Sequence, residues 1–204
     1  SNLSAVLLPR LSGTAEKPAA VKNLTTDGAA AALVGNVAGT ASITGITVKN
    51  CTTTTACLAA DISNNARLTV EDCQVSGKAV YPDAQQYRAG LVLNYNGNSC
   101  TVDFRRCAVE FDGGAHAGLV GILYKEGTNS VKRQTITAEN CSASAGSGAL
   151  ISSVNTSYSV ITGTVVSCVI YAASGSSVDI TNCDPAKVTT TNCFIYKGYT
   201  DAKE

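Results

Sequence analysis

A short segment that ends in cysteine recurs along this 204-residue chain. Its clear copies are ITVKNC at 46–51, LTVEDC at 68–73, VDFRRC at 102–107 and ITAENC at 136–141. A weaker copy, TVVSC, spans 164–168, and VKNL at 21–24 carries leucine where the others carry cysteine. Self-similarity at a period of roughly 20–50 residues is typical of repeat architectures, whose units stack on one continuous core. The repeat therefore constrains the fold more than any other feature, and it indicates that the recurring residues are structural.

A second element, a leucine between small or branched residues, precedes each of the cysteine-ending segments. Its leucines are Leu33, Leu58, Leu91, Leu119 and Leu150. The interval from this leucine to the next cysteine varies from 15 residues (58 to 73) to 22 residues (119 to 141), but the order never changes. Fixed order with variable spacing is typical of a solenoid whose strands are constant and whose loops change in length.

Hydrophobicity alternates with a period of two inside the four clear copies. Residues three and five positions before the cysteine are apolar, and those two and four positions before it are polar. Such alternation, rich in β-branched residues, predicts a half-buried strand. Asn or Asp before the cysteine, or before the leucine that replaces it, favours a bend with left-handed backbone. These residues are Asn23, Asn50, Asp72, Asn140, Asn182 and Asn192.

Two surface columns result when the copies are stacked in register. The residues two before the cysteine alternate in charge: Lys49, Glu71, Arg105 and Glu139. The residues four before it are mostly threonine: Thr47, Thr69, Asp103, Thr137 and Thr164. Opposite charges on neighbouring strands stabilise a sheet. We therefore predict an all-β fold, a right-handed parallel β-helix of about six to seven rungs.

Most of the nine cysteines are expected to be buried thiols. Cys51, Cys73, Cys107, Cys141 and Cys168 should line one interior column, where strands lie about 4.8 Å apart. That spacing holds in-register Cβ atoms slightly too far apart for a relaxed disulfide, so the thiols should act as small hydrophobes. Any bridges are expected to involve the remaining cysteines: Cys57, Cys100, Cys183 and Cys193.

The leucine element, with its glycine-rich turn, threonine-rich strand and Asn-Cys ending, resembles the GLUG-type repeats of bacterial surface proteins. The resemblance covers residues 21–193. It implies a β-solenoid from a secreted or cell-surface, adhesin-like protein, in which such repeats serve as a stalk or as a binding surface.

We interpret residues 1–204 as a single β-solenoid domain. Residues 1–20 are expected to form an N-terminal cap or first strand, and 194–204 the C-terminal end. Since an uncovered terminal rung exposes unpaired backbone, we expect the domain to be part of a longer chain. Any signal or anchor would then lie outside this sequence.

Charge and composition limit the classes of binding partner and cofactor that are expected. Fifteen basic and fifteen acidic residues cancel without a basic block, so we expect no nucleic-acid partner. No apolar run approaches the ~20 residues of a membrane span, so no membrane insertion by this segment is expected. With one histidine and no CxxC pair, we expect neither metal nor other cofactor. The expected partner is a host or dietary glycan, or a surface protein.

The sequence favours a non-enzymatic binding module over two alternatives. One is a purely structural stalk or spacer. The other is a polysaccharide lyase or glycosidase, in which Asp103, Arg105 and Glu139 on adjacent rungs would supply acid–base chemistry. No catalytic residue is assigned, because stacking already accounts for these charges. Ligand contacts are expected in the loop insertions, at Tyr87, Arg88, Tyr124 and Lys125.

Overall fold

The computed structural model describes residues 5–52, 57–78, 88–94, 98–112, 115–122, 132–145, 147–153, 159–172, 174–175 and 177–198. Within these ranges every regular element is a β-strand and every strand pairing is parallel. The fold is therefore the predicted parallel β-helix, while its right-handedness stays a prediction. In the same ranges, no helix is long and apolar enough to cross a membrane.

The described residues make seven rungs, each visiting three faces in turn. In chain order the first four rungs are β1 (Leu8–Gly13), β2 (Ala19–Lys22) and β3 (Thr25–Ala29); β4 (Val34–Thr44) and β5 (Thr47–Cys51); β6 (Ala59–Ile62), β7 (Arg67–Glu71) and β8 (Gln74–Lys78); and β9 (Arg88–Ala89), β10 (Val92–Asn94), β11 (Cys100–Arg105) and β12 (Ala108–Asp112). The last three are β13 (Ala115–Ile122), β14 (Lys132–Glu139) and β15 (Ser142–Ala145); β16 (Ser147–Ser153), β17 (Ser159–Val166) and β18 (Val169–Ala172); and β19 (Val178–Thr181), β20 (Val188–Thr191) and β21 (Phe194–Lys197).

The three faces are continuous parallel stacks. Face one begins with β1 and ends with β19, face two runs from β2 to β20, and face three runs from β3 to β21. In the second rung the long strand β4 serves two faces, since residues 34–39 pair with β1 and residues 40–44 pair with β7. Each rung has thus two corners and a closing connection, and the side chains between the faces form the core.

The corner between faces two and three is the most regular part of the coil. One residue per rung has left-handed backbone there, with φ between 50° and 66°: Asn23, Gly45, Asp72, Arg106, Asn140, Ser167 and Asn192. Left-handed backbone is thus confirmed at five of the six predicted Asn and Asp positions, four of which lie at this corner. Asn50 has left-handed backbone elsewhere, within β5, and Asn182 is not left-handed.

The cysteine column begins one repeat later than predicted. Strand β5 pairs with β8 so that Thr47 lies beside Gln74. Ile46, rather than Cys51, therefore lies next to Cys73 in the column. Its members in rung order are Leu24, Ile46, Cys73, Cys107, Cys141, Cys168 and Cys193. Cys51 instead pairs with Gly77 on face three and forms a disulfide with Cys57.

The surface columns need the same correction, because the segment 46–51 lies on face three instead of face two. Lys49 pairs with Asp27 and Thr47 with Gln74, so neither belongs to its predicted column. The remaining members do stack as predicted. Arg105 lies between Glu71 and Glu139, and Asp103 lies between Thr69 and Thr137.

The interior is packed with aliphatic columns. The five leucines of the second repeat element are all buried, as the sequence indicated: Leu33, Leu58, Leu91, Leu119 and Leu150. Phe104, on face two, is the largest fully buried side chain. Burial of a side chain of this kind contributes about 1.5–3 kcal/mol relative to exposure, so the stacked columns supply the main stabilising term.

Thr26 is an exception in this core. On face three its neighbours in register are Val48 and then Val75, and its Oγ1 is a buried atom without a hydrogen-bond partner among the described residues. Because a buried unsatisfied hydroxyl costs about 1–3 kcal/mol, Thr26→Val should raise the free energy of unfolding by about 1 kcal/mol. Denaturant unfolding would measure it, with exposed Thr25→Val as the control. A destabilised Thr26→Val variant would contradict the assignment.

The structure predicts a definite thiol count. Cys51 and Cys57 are bridged, and the other seven cysteines are thiols. Titration with a thiol reagent in denaturant, without reductant, should therefore find seven thiols, and Cys51→Ser should release Cys57 and raise the count to eight. A count of six in Cys51→Ser would show that Cys57 is bridged to another cysteine.

Candidate functional site

An exposed ion-pair cluster marks the corner between faces two and three. The Arg106 guanidinium donates from Nε to Asp72 Oδ1 at 2.7 Å, and its Nη2 contacts Asp72 Oδ2 at 3.0 Å and Glu71 Oε1 at 2.5 Å. Asp72 and Arg106 both occupy the left-handed corner position of their rungs. Stacking of adjacent rungs thus places the Arg106 guanidinium against the carboxylates of Asp72 and Glu71, and the cluster links these two rungs.

The predicted acid–base candidates do lie side by side on face two. Arg105 is in register with Glu139, and Asp103 with Thr137. The Thr137 hydroxyl donates a short hydrogen bond to Asp103 Oδ1. Asp103 is therefore held by a hydroxyl, and Arg105 separates the carboxylates of Glu71 and Glu139 on the neighbouring rungs. Such an arrangement fits cross-strand pairing better than a pair of carboxylates poised around a substrate bond.

A shallow cleft opens at the beginning of the strands of face two. It has a volume of about 320 Å³ and is lined by Ser99, Cys100, Thr101, Arg133, Gln134, Thr135, Val160 and Thr162. Thr101, Thr135 and Thr162 are in register on three successive rungs. The cleft therefore exposes a ladder of hydroxyls beside one arginine.

Face three carries an aromatic cluster in its last two rungs. Tyr171 is in register with Tyr196 and Val169 with Phe194. The exposed fractions are 68% for Phe194, 59% for Tyr196 and 38% for Tyr171. The rings of Tyr171 and Tyr196 are 6.3 Å apart between centroids and tilted by 60°. We call these three residues the aromatic ladder.

The aromatic ladder was not predicted from the sequence, although the spacing of its tyrosines indicates it. Tyr171 and Tyr196 each lie three residues after a column cysteine, Cys168 and Cys193. The strand that follows the corner alternates in burial, as the buried Ile170 between exposed or half-buried neighbours shows. Counting outward-facing positions beyond each cysteine would have placed both tyrosines on one surface.

The predicted ligand contacts lie largely beyond what the structure describes. Tyr87, Tyr124 and Lys125 are outside the described residues. Arg88 has its backbone in β9, where it pairs with His116 of β13. The proposal that these loops bind ligand stays a prediction.

Two of the buried thiols, Cys107 and Cys183, are poorly suited to nucleophilic chemistry. Sulfur contacts with Cys141 and Cys73, together with burial, raise the pKa of the Cys107 thiol. Burial also raises the pKa of Cys183. Since the thiolate is the reactive form, both groups remain protonated at neutral pH. In the described part of the chain, no three His, Cys, Asp or Glu side chains come together as a metal-binding group.

No protein-family model, curated protein or solved structure matches this chain significantly. The resemblance to GLUG-type repeats thus depends on the sequence motif alone.

The ion-pair cluster predicts a specific pH dependence. The hydrogen bond from Arg106 holds the pKa of Asp72 below its usual range. A carboxylate whose pKa is lowered by folding stabilises the protein above its unfolded-state pKa, and that contribution is lost as the pH falls through the folded-state value. Arg106→Gln should therefore move the pKa of Asp72 back up, as measured by NMR of the carboxyl carbon.

Asp184 is the internal control for this titration. Its pKa is lowered by the backbone N–H of Ala186 and by Lys187, so it should not change in Arg106→Gln. An Asp72 pKa that stays low in the variant would show that Arg106 is not the cause.

Proposed function

We propose that this chain is a non-enzymatic β-solenoid module of a secreted or cell-surface protein, and that it binds a glycan on face three. The observation that carries the proposal is the aromatic ladder. Large apolar side chains that are exposed together mark interaction surfaces, and tyrosine combines an apolar ring with a polar hydroxyl. These are the properties needed to stack on the C–H face of a sugar and to bond its hydroxyl groups.

The geometry of the ladder suits an extended chain. Tyr171 and Tyr196 stand on successive rungs, about 4.8 Å apart in the direction of the solenoid axis. Both tyrosines lie on strands of face three, so no loop has to be ordered on binding. Lys197 follows Tyr196 on the same strand, and its ammonium group is a donor for sugar hydroxyls.

Three carboxylates on face two and at its corner are held by neighbouring side chains, which supports a role without catalysis. Asp103 is engaged by Thr137, and Glu71 and Asp72 are engaged by Arg106. General acid–base catalysis needs carboxyl groups poised to exchange a proton with substrate, whereas these groups are held by neighbours. A spacer would not need three exposed aromatic side chains on one face.

A glycan array with the unmodified chain and the variant Tyr171→Ala/Phe194→Ala/Tyr196→Ala tests the proposal. Loss of the stacking rings should weaken binding by about 10-fold to 100-fold, since each aromatic contact contributes about 0.5–1.5 kcal/mol. Tyr171→Phe/Tyr196→Phe should retain most of the affinity if ring stacking dominates.

The matched control is Ser142→Ala/Ser144→Ala, which changes the same two columns one rung earlier. It should bind as the unmodified chain does. Absence of any glycan binding would favour the spacer or a protein partner. Release of reducing ends from a polysaccharide would overturn the non-enzymatic assignment.

A further inference from the structure

A line of hydroxyl and cationic side chains runs across face two, away from the aromatic ladder. Arg67, Thr101, Thr135 and Thr162 are in register on four successive rungs. Arg133 precedes Thr135 by two residues on the same strand, so it stands beside this line. We call these five residues the basic stripe; the cleft of face two lies along it.

The two arginines of the stripe differ from the arginine of the corner. Arg106 is neutralised by Glu71 and Asp72. Neither Arg67 nor Arg133 forms an ion pair with any described carboxylate, and both are exposed. The residues that line the cleft include no Asp or Glu. Two exposed guanidinium groups without a described carboxylate partner therefore face solvent along the stripe, although the whole chain has a formal net charge of zero.

The stripe also contains a threonine hydroxyl, that of Thr162, whose present hydrogen bonds are long enough to be exchanged for a bond to a ligand. The Oγ1 of Thr162 lies 3.4 Å from that of Thr135 and 3.4 Å from the carbonyl oxygen of Gln134. A good hydroxyl hydrogen bond is about 2.7–2.8 Å long, so both contacts are weak. An oxyanion placed in the cleft would accept a stronger bond from this hydroxyl.

We propose that the basic stripe binds an acidic polysaccharide, with the oxyanions of its carboxylate or sulfate groups at Arg133 and Arg67. The guanidinium group presents parallel N–H donors that match a carboxylate or sulfate. The two arginines are two rungs apart, which is about 10 Å along the axis. A chain lying along the stripe would therefore contact both through acidic groups at intervals, and contact the threonine hydroxyls through its sugar hydroxyls.

A polysaccharide fits the stripe better than a nucleic acid. Duplex DNA carries one charge per about 1.7 Å, whereas the stripe has two arginines over three rungs. Binding of single strands also uses aromatic side chains on which bases stack, and the five residues of the stripe include none. The spacing of cations and hydroxyls favours a sparsely charged, hydroxyl-rich chain.

The stripe goes beyond the proposed glycan site because it lies on a different face. The aromatic ladder would bind through ring stacking, and the stripe through charge. Each can fail without the other: the triple aromatic variant should keep its affinity for an acidic polysaccharide, and variants of the stripe should keep their affinity for a neutral glycan.

Calorimetric titration with three probes tests the inference: a polyuronate oligosaccharide, its methyl ester, and a sulfated oligosaccharide. Arg67→Gln/Arg133→Gln should lose at least 10-fold in affinity for whichever charged probe the unmodified chain binds. Affinity should also fall as salt is added, because the contacts are exposed. Comparing the affinities for the polyuronate and the sulfated probe shows whether the stripe binds carboxylate or sulfate groups.

The control is Arg10→Gln, which removes an exposed arginine from face one. It should bind the charged probe as the unmodified chain does, and thermal unfolding should confirm that all variants are folded. If the polyuronate binds, equal binding of its methyl ester would overturn the proposal. Full affinity in Arg67→Gln/Arg133→Gln, or no binding of either charged probe, would also overturn it. Tighter binding of a single-stranded oligonucleotide than of either charged probe would indicate that the stripe binds nucleic acid rather than polysaccharide.

Discussion

Backbone hydrogen bonding from rung to rung at the corner between faces two and three is the interaction on which the structure depends. In the first six rungs the N–H of the left-handed residue donates to the next rung, as from Asp72 to the Arg105 carbonyl and from Arg106 to the Glu139 carbonyl, both at 3.0 Å. Two residues later the backbone N–H donates to the preceding rung instead, as from Ala108 to the Cys73 carbonyl at 2.9 Å. The turn is thus bonded on both sides. Since a slip of one residue would turn every side chain to the opposite surface, this corner fixes the register of each rung.

Cysteine suits the position after the corner for a local reason. Its thiol donates back to the carbonyl two residues earlier, at 3.2 Å from Cys73 to Glu71 and 3.3 Å from Cys107 to Arg105. The same pattern recurs at Cys141, Cys168 and Cys193. A small apolar side chain that also bonds its own bend both packs in the column and satisfies a carbonyl. Leu24 and Ile46 show that apolar packing alone is sufficient in the first two rungs.

The same stacking determines how the surface can act. Because each outward position repeats on every rung, a substitution in one repeat adds to a column rather than making an isolated site. Face two and the corner beside it form a polar surface in this way. Some of its charged groups are paired, as at Arg106, and others face solvent, as at Arg133. Face three gains its aromatic character in the last two rungs, through Tyr171 and Tyr196. Both proposed binding surfaces are therefore properties of columns of side chains on stacked strands.

The sequence by itself determined the fold class, the alternation within strands and most of the stacking. For 68–73, 102–107 and 136–141 it gave the correct in-register columns, because those copies share both the strand and the corner. It was wrong for 46–51, whose alternation is the same but whose corner is Gly45, one strand earlier. A local pattern specifies which side chains point inward, yet not which face a strand joins, since that depends on hydrogen bonds to rungs distant in sequence. Only the tertiary structure decided that Cys51 meets Cys57, that Tyr171 meets Tyr196, and that Arg133 stands beside a threonine ladder. Each of those contacts joins successive rungs, and the lengths of the intervening turns determine which residues come together.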